Sequence, residues 1–163
     1  MLTFEEAKRL LNYDPAMGVF TWKVKVNSSV HAGDVAGWDD GSGYIRIKIK
    51  GKAYKAHRLA WFMHYGEWPN MNIDHIDRCR SNNEIQNLRL ASHYENSVNK
   101  GKRTNNKSGI KGVNWEVKNK KWKAQIQADG KKIYLGLFDD IELAEIVVMA
   151  ARDKLHGEFA CHS

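Results

Sequence analysis

Residues 71–98 read MNIDHIDRCRSNNEIQNLRLASHYENSV, and this stretch decides the fold around which the rest of the chain is arranged. The apolar residues at 71–73 lead directly into Asp74 and His75, which predicts a short strand that ends at this pair. Residues 88–91 also have the pattern of a strand. The capping-box pattern that begins at Ser92 predicts a helix from that residue onward. We therefore expect the order strand, loop, strand, helix.

The polar residues of this stretch suit the hydrolysis of a phosphodiester. Imidazole accepts a proton near neutral pH, which makes His75 the candidate general base. Mg²⁺ prefers oxygen ligands and keeps several waters, so Asp74 and the amide of Asn96 suffice as protein ligands. The amide of Asn87 can hold the His75 ring in one orientation. On local grounds alone, asparagines at such positions are more often caps than ligands.

Positive charge is concentrated in two parts of this chain of 163 residues with a net charge of +7. Residues 41–66 hold six Lys or Arg and no acid, and residues 101–134 hold ten against Glu116 and Asp129, which is 10 − 2 = +8. Such blocks are the electrostatic footprint of binding to a phosphate backbone. A solvated surface is the alternative, and an anionic membrane is disfavoured because no basic amphipathic helix is present.

The N-terminal part has the pattern of a small sheet with a capped helix before it. The pattern of residues 3–12 predicts a helix, and that of residues 19–24 predicts a strand. Residues 26–43 are expected to form a loop with one short strand. Residues 44–57 predict a hairpin, and residues 57–65 a helix. Isoleucines face one side of this hairpin and the cations Arg46, Lys48 and Lys50 face the other, as a row that can follow a phosphate backbone.

Composition excludes several classes of protein. The 42% apolar and 28% charged content is that of a folded protein, and no apolar run approaches the ~18 residues of a membrane span. Cys79 and Cys161 are isolated, so neither a disulfide framework nor a structural zinc site is expected. The first six residues lack the pattern of a secretory signal, and we expect the protein in the cytoplasm.

The C-terminal part changes to a pattern of short strands. The basic, asparagine-rich residues 99–107 predict a linker. Strands follow at 112–117, 122–128 and 132–138, with a hairpin signal at Asp129-Gly130. Residues 141–156 predict a helix that ends before Gly157. The expected unit is a three-stranded antiparallel sheet with one helix packed on its back.

The residues around the Asp-His pair resemble the HNH endonucleases, in particular the phage and intron-encoded homing type. The matching residues are His57-Arg58-Leu59, Ile73-Asp74-His75-Ile76, Asn83, Asn87-Leu88-Arg89-Leu90-Ala91 and Asn96. The resemblance implies His75 as the general base, Asn87 as the residue that orients it, and Asp74 with Asn96 as ligands of one divalent metal, Mg²⁺ or alternatively Mn²⁺. The candidate phosphate contacts nearby are Arg78, Arg80 and Arg89.

Residues 108–160 resemble the DNA-binding domain of plant ethylene-response factors. The resemblance is carried by Gly109-Ile110-Lys111-Gly112-Val113, by Lys121-Trp122-Lys123-Ala124-Gln125-Ile126, by Tyr134-Leu135-Gly136-Leu137-Phe138 and by the helix from Ala144 to Ala151. In that family the exposed sheet face enters the major groove of DNA. The resemblance implies DNA contacts by Lys111, Asn114, Gln125, Gln127, Lys132 and Tyr134.

Together these patterns predict an α+β protein. The expected parts are an HNH strand-strand-helix metal nuclease core with an N-terminal antiparallel sheet (1–100), a basic linker (101–107) and a sheet module with one packed helix (108–163). The expected function is a metal-dependent endonuclease of double-stranded DNA, of phage type and acting in the bacterial host. A monomer has one such site and would nick; double-strand cleavage would need a dimer or a second event. The alternatives are an inactive DNA-binding regulator and an RNA-binding protein.

Overall fold

The computed structural model describes residues 2–102 and 104–162, and it shows the mixed α+β architecture that the sequence predicts. Arg103 of the predicted linker and the terminal residues Met1 and Ser163 lie outside the described residues. Contacts divide the chain into unit 1, Met1–Ser92, and unit 2, His93–Ser163. The boundary between the two units lies between Ser92 and His93, before the predicted linker at 101–107. The predicted domains 1–100 and 108–163 remain a prediction. No helix in the described part of the chain is long and apolar enough to cross a membrane.

The chain begins with the predicted capping box. Thr3 Oγ1 accepts a hydrogen bond from the Glu6 amide, and the Glu6 carboxylate accepts one from the Thr3 amide. The helix α1 (Phe4–Leu10) is shorter than predicted, because Leu11 leaves it to begin β1 (Leu11–Asp14). Leu11 is fully buried opposite Trp22 of β2 (Val19–Trp22), so strand pairing replaces the last two residues of the predicted helix.

The turn between β1 and β2 packs closely against the segment that precedes β7. Gly18 has φ +66°, and a Cβ atom built there would lie 2.4 Å from the Glu84 amide nitrogen. The Ile85 amide donates to the Pro15 carbonyl over 3.0 Å. Only glycine fits at position 18, because both its left-handed backbone and the close approach exclude a side chain.

The predicted hairpin at 44–57 is confirmed as part of a three-stranded sheet. Ile47 and Ile49 are buried on its inner face, and Lys50 and Gly51 form the turn with positive φ. The elements are β3 (Trp38–Asp39), β4 (Ile45–Ile49) and β5 (Lys52–Lys55) in the order β3-β4-β5, followed by α2 (Ala56–Tyr65). α2 buries its apolar face in the core of unit 1 through Leu59, Ala60 and Phe62.

Unit 1 ends with the hairpin that carries the Asp-His pair. The strands β6 (Asn72–His75) and β7 (Leu88–Ala91) are antiparallel, and a 3₁₀ turn at Ile85–Asn87 leads into β7. Ile73 and Leu88 join the same hydrophobic core as α2. The core therefore holds both ends of the 76–87 loop.

Unit 2 contains α3 (His93–Val98) and the predicted sheet with one helix. The strands are β8 (Val113–Glu116), β9 (Lys121–Ala128) and β10 (Lys131–Phe138), in the order β10-β9-β8. α4 (Ile141–His156) begins at the cap Asp140 and packs on the sheet through Ala144 and Val148, opposite Val113 and Ala124.

Candidate active site

The Asp-His pair lies at the end of β6, where the chain turns into the 76–87 loop. In the register of the hairpin, Asp74 pairs with Arg89 and His75 pairs with Leu88. Both Asp74 and His75 are buried. A buried carboxylate and a buried imidazole both need polar partners, and these partners define the site.

Asp74 is held by an ion pair with Arg89. Arg89 Nε and Nη2 donate to Asp74 Oδ2 over 3.0 and 2.8 Å, and both side chains are mostly withdrawn from solvent. The charge of the carboxylate is therefore compensated inside the fold. Arg89, predicted as a phosphate contact, lies here against the predicted metal ligand.

His75 is oriented by Asn83. The Asn83 Oδ1 atom lies 3.4 Å from His75 Nε2, and Asn83 Nδ2 donates to the Ser81 carbonyl over 3.0 Å. Because the amide nitrogen is engaged with a carbonyl, the amide oxygen faces the ring, and Nε2 is the nitrogen that carries the proton in this arrangement. Burial is the largest cause that lowers the pKa of His75 below its ordinary value of 6.5. Neutral imidazole, the form that accepts a proton, is thereby favoured.

Asn87 organises the loop and does not contact the ring. Within the described residues its Oδ1 atom accepts from the Asp77 amide, and its Nδ2 atom donates to Asp77 Oδ1 and to the Asn82 carbonyl, each over 2.9 Å. The amide that faces the ring is that of Asn83, and Asn87 is hydrogen-bonded to its neighbour Asn82, so the orienting role of Asn87 stays a prediction. Asn83 faces the ring because of the path of the loop, which folds Asp77 back over the start of β7.

Asp77 is the centre of this loop. Its carboxylate accepts from Asn82 Nδ2 and from the Cys79 amide, each over 2.8 Å, in addition to Asn87. Burial raises the pKa of Asp77, but these hydrogen bonds outweigh it and the pKa is lowered overall. The next residue, Arg78, has φ +64° and donates its amide to the His75 carbonyl over 3.0 Å. The loop is thus held in one conformation beside the histidine.

Two further rings enclose His75. The His57 ring meets the His75 ring edge-on with the centroids 5.1 Å apart, and the Tyr44 ring lies 5.3 Å from His57 and 6.1 Å from His75. His57 is buried, Nδ1 of its ring has no partner in the described part of the chain, and burial lowers its pKa to about 3. Sequence reasoning assigned no role to Tyr44 or His57, since neither stands at a regular spacing from the Asp-His pair.

Two cations lie against the Tyr44 ring. Lys55 Nζ lies 4.4 Å and Arg80 Cζ 4.9 Å from the ring centroid. Arg80 also donates to the Ser42 carbonyl over 2.8 Å. Arg80 was predicted as a phosphate contact and lies where this is possible, whereas Lys55 was not predicted. Two positive charges at the Tyr44 ring suit a bound phosphate.

The predicted cationic row on β4 is present, but its members differ in their partners. Arg46 Nε donates to Asp40 Oδ2 over 2.8 Å, and Lys50 Nζ pairs with the Glu6 carboxylate. Lys48 is exposed and has no ion pair within residues 2–102 and 104–162. The row therefore offers one uncompensated cation between two that are paired.

In unit 2, five of the six predicted DNA contacts share one face of the sheet. The register pairs Tyr134 with Gln125 and Lys132 with Gln127, and it pairs Asn114 with Lys123. Residues directly opposite each other project from the same face, so Lys123 joins this face although it was not predicted. Glu116 lies 4.0 Å from Lys123 Nζ, which reduces its repulsion of a phosphate.

Lys111, the sixth predicted contact, has a structural position. Its Nζ atom donates to the carbonyls of Val98, Lys100 and Cys161 over 2.9, 2.6 and 3.2 Å. An ammonium has three N–H groups, and three carbonyls accept them here. Lys111 thus ties the end of α3 to the C-terminal segment, and its contact with DNA stays a prediction.

The predicted metal ligands offer oxygen donors of the kind that a hard divalent cation prefers. Asp74 supplies a carboxylate, and Asn96 on α3 supplies the amide of a half-buried side chain. Within residues 2–102 and 104–162 no three His, Cys, Asp or Glu residues form a metal-binding group. A Mg²⁺ ion needs no such cage, because water and phosphate oxygens complete its shell. Asp74 belongs to unit 1 and Asn96 to unit 2, and each residue by itself carries an oxygen donor that suits Mg²⁺ or Mn²⁺, in contrast to the thiolates and imidazoles typical of zinc.

Comparison with known proteins gives a consistent result. Residues 54–98 match the family model described as HNH endonuclease. The chain is 37% identical over 112 residues to Protein 3.8 of Escherichia phage T7, which covers 67% of this chain and 90% of that protein. It is 32% identical over 88 residues to the uncharacterized HNH endonuclease L560 of Acanthamoeba polyphaga mimivirus, covering 54% of this chain and 44% of the relative. No solved structure matches the chain.

Proposed function

The chain belongs to a family of viral proteins with an HNH endonuclease domain, and on that premise we propose that it is a metal-dependent endonuclease that nicks duplex DNA. The observation that carries the proposal is the buried His75 ring, kept neutral by burial and oriented by Asn83, one residue from the Asp74 carboxylate. Buried polar groups in this arrangement are typical of an active site.

His75 acts as the general base. It removes a proton from the water that attacks phosphorus, and the bond from phosphorus to the leaving oxygen then breaks. Asn83 holds the ring for this task, and the loop centred on Asp77 and Asn87 holds Asn83's neighbours in place. Lys55 and Arg80, beside Tyr44, stabilise the negative charge of the phosphate.

Asp74 and Asn96 would hold the divalent cation. When bound, the cation supplies electrostatic stabilisation of the charge that develops on the phosphate and the leaving oxygen. Arg89 keeps the Asp74 carboxylate in position, since it donates two N–H groups to it. Mg²⁺ is the proposed ion, with Mn²⁺ as the alternative.

DNA is bound by two surfaces, one in each unit. In unit 1 Lys48 and the neighbouring cations contact the phosphate backbone, and in unit 2 the exposed sheet face acts as an ethylene-response-factor-like DNA-binding module. The polar side chains of that face, Asn114, Gln125, Gln127, Lys132 and Tyr134, suit contacts with base edges and phosphates. This surface gives the nuclease a preference of site, as in homing-type enzymes.

Nicking of supercoiled plasmid tests the proposal. Wild-type protein is expected to convert it to the open circle with Mg²⁺ and not with EDTA. His75→Ala is expected to lower the rate at least about a hundredfold, because the base is lost. His64→Ala, which removes an exposed histidine of α2, is the matched control and should nick at the wild-type rate. Retained DNA binding without any nicking by wild type would instead identify a DNA-binding regulator.

A further inference from the structure

Unit 1 contains a cleft that the proposed reaction does not use. It encloses about 840 Å³ and is lined mainly by apolar side chains. Three of these are unusually exposed for their type: Val26 at 45%, Val35 at 70% and Trp38 at 46%. A cleft of this size with exposed apolar walls has room for a ligand group.

The charges around the cleft favour an anionic occupant. Lys25, Lys48 and Lys50 line it together with a single acid, Asp34, whose carboxylate accepts the His31 amide over 2.6 Å. Lys50 is paired with Glu6, but Lys48 has no ion pair in the described part of the chain. A second copy of this basic chain would meet like charge at the cleft, which disfavours it as the occupant.

Trp38 gives the cleft a flat aromatic surface beside a cation. It lies on the edge strand β3 opposite Arg46, so it projects from the same sheet face as Arg46 and Lys48. An indole next to an ammonium matches a nucleotide, which joins a flat apolar base to a negative phosphate. An apolar peptide would satisfy the indole but not the lysines.

We infer that this cleft binds an unstacked nucleotide of the DNA, with the base against the Trp38 indole and its phosphate at Lys48. The inference rests on the proposed function, which supplies the DNA strand. Duplex DNA that is bent or kinked exposes such a base, and apolar side chains commonly occupy the gap. The cleft would thereby hold the strand in a distorted form beside the β4 row.

Binding of two labelled single strands at equal salt, in EDTA, tests this with the full chain. The probes are a 15-nucleotide thymidine strand and a strand of equal length without bases, which carries the same phosphates. We expect wild type to bind the thymidine strand at least about tenfold more tightly. Trp38→Ala should reduce this ratio toward one with little change for the strand without bases. Trp38→Phe should retain part of the ratio.

Further variants separate the cleft from general effects on the fold. Val35→Glu places a negative charge at an exposed wall and should weaken binding of the thymidine strand, whereas Val35→Gln should not. Tyr65→Ala removes an aromatic residue that is 52% exposed and lies outside the cleft, and should leave the ratio unchanged. Lys48→Gln should weaken the binding of both strands. The slope of the logarithm of affinity against the logarithm of salt concentration should fall by about one, as for the loss of one phosphate contact.

Several outcomes overturn the inference. Equal affinity of wild type for the two strands would exclude a binding site for a base. If Trp38→Ala and Val35→Glu both keep the wild-type ratio of the two affinities, the base binds outside this cleft. If wild type binds neither strand but binds a peptide of acidic and apolar residues at the cleft, the cleft is a peptide site. Plasmid nicking is measured separately: nicking without thymidine preference overturns only the cleft, and preference without nicking overturns only the nuclease.

Discussion

His75 Nε2 lies 3.4 Å from Oδ1 of Asn83, a residue eight positions later that is only 2% exposed. The backbone of Asn83 is held from another side by Tyr13, whose hydroxyl donates to the Asn83 carbonyl over 2.7 Å. The β1–β2 hairpin, far from the Asp-His pair in sequence, therefore supports the group that orients the candidate base. This relationship gives the site a rigid frame before DNA arrives.

Asn83→Leu tests that frame. Leucine has a similar volume but cannot accept a hydrogen bond from the ring, so His75 loses its fixed orientation. We expect the nicking rate to fall about a hundredfold with DNA affinity within a factor of two, as for a misplaced catalytic group. Ser81→Ala is the control, because it keeps the carbonyl that Asn83 contacts. Equal rates for Asn83→Leu and wild type would contradict the assigned role.

The Asp74–Arg89 pair should contribute to stability as a unit. Arg89→Met leaves a buried carboxylate without this partner, and we expect it to lower the free energy of unfolding by about 3 kcal/mol. Asp74→Asn in the same chain should recover much of that loss, because no buried charge remains. Lys121→Met breaks an exposed pair with Asp139 and should cost less than about 1 kcal/mol. Urea denaturation of wild type, of Arg89→Met, of Asp74→Asn and of the double variant gives the coupling energy, and additive effects would argue against a buried pair.

His57 should make the fold sensitive to acid. Burial lowers its pKa to about 3 in the folded chain, whereas an unfolded histidine titrates near 6.5. Between these values the unfolded state binds the extra proton. Stability is therefore full above about pH 6.5 and falls as the pH is lowered, by up to about 1.4 kcal/mol per pH unit for one proton.

The variant His57→Phe should flatten this part of the pH profile of the unfolding free energy. Unfolding midpoints in urea between pH 7 and pH 4 provide the measurement. His64→Phe changes an exposed histidine of the same helix and serves as the control. An identical slope for wild type and His57→Phe would show that the buried ring does not set the acid sensitivity.

Substitution of Lys111 should lower stability, whereas substitution of Lys132 should weaken DNA binding. Lys111→Met removes hydrogen bonds to three carbonyls and should destabilise the chain by about 2 kcal/mol, since bonds from a charged donor are the stronger kind. Lys132→Met lies on the exposed sheet face and should spare stability but weaken DNA binding and lower its salt dependence. Gel shifts at several salt concentrations and urea denaturation separate the two. A loss of affinity without a loss of stability in Lys111→Met would restore the sequence-based assignment.

The local elements of both units could be predicted from sequence. The capping box at Thr3, the hairpin signals and the helix of residues 141–156 depend on neighbours a few positions apart, and the structure confirms them. The predicted end of α1 was wrong by two residues, because the pairing of Leu11 with Trp22 is a tertiary contact. Local propensity is overridden where burial across the chain contributes more.

The partners in the site could not be predicted in the same way. The sequence placed Asp74 and His75 at the end of one strand, and it gave the orienting role to the amide of Asn87, although Asn83 carries the same group. Only the path of the 76–87 loop directs Asn87 to Asp77 and leaves Asn83 at the ring. No periodicity encodes this choice, since either amide could satisfy a histidine.

By itself, the sequence determined which elements form, where the charges cluster and which residue types can hydrolyse a phosphodiester. These properties follow from side-chain chemistry and from spacings of two to four residues, which each segment carries alone. The tertiary structure decided that Arg89 pairs with Asp74, that Tyr44 and His57 enclose His75, and that Lys111 is turned inward. Such contacts join residues that are distant along the chain, and their geometry exists only after the core has brought those segments together.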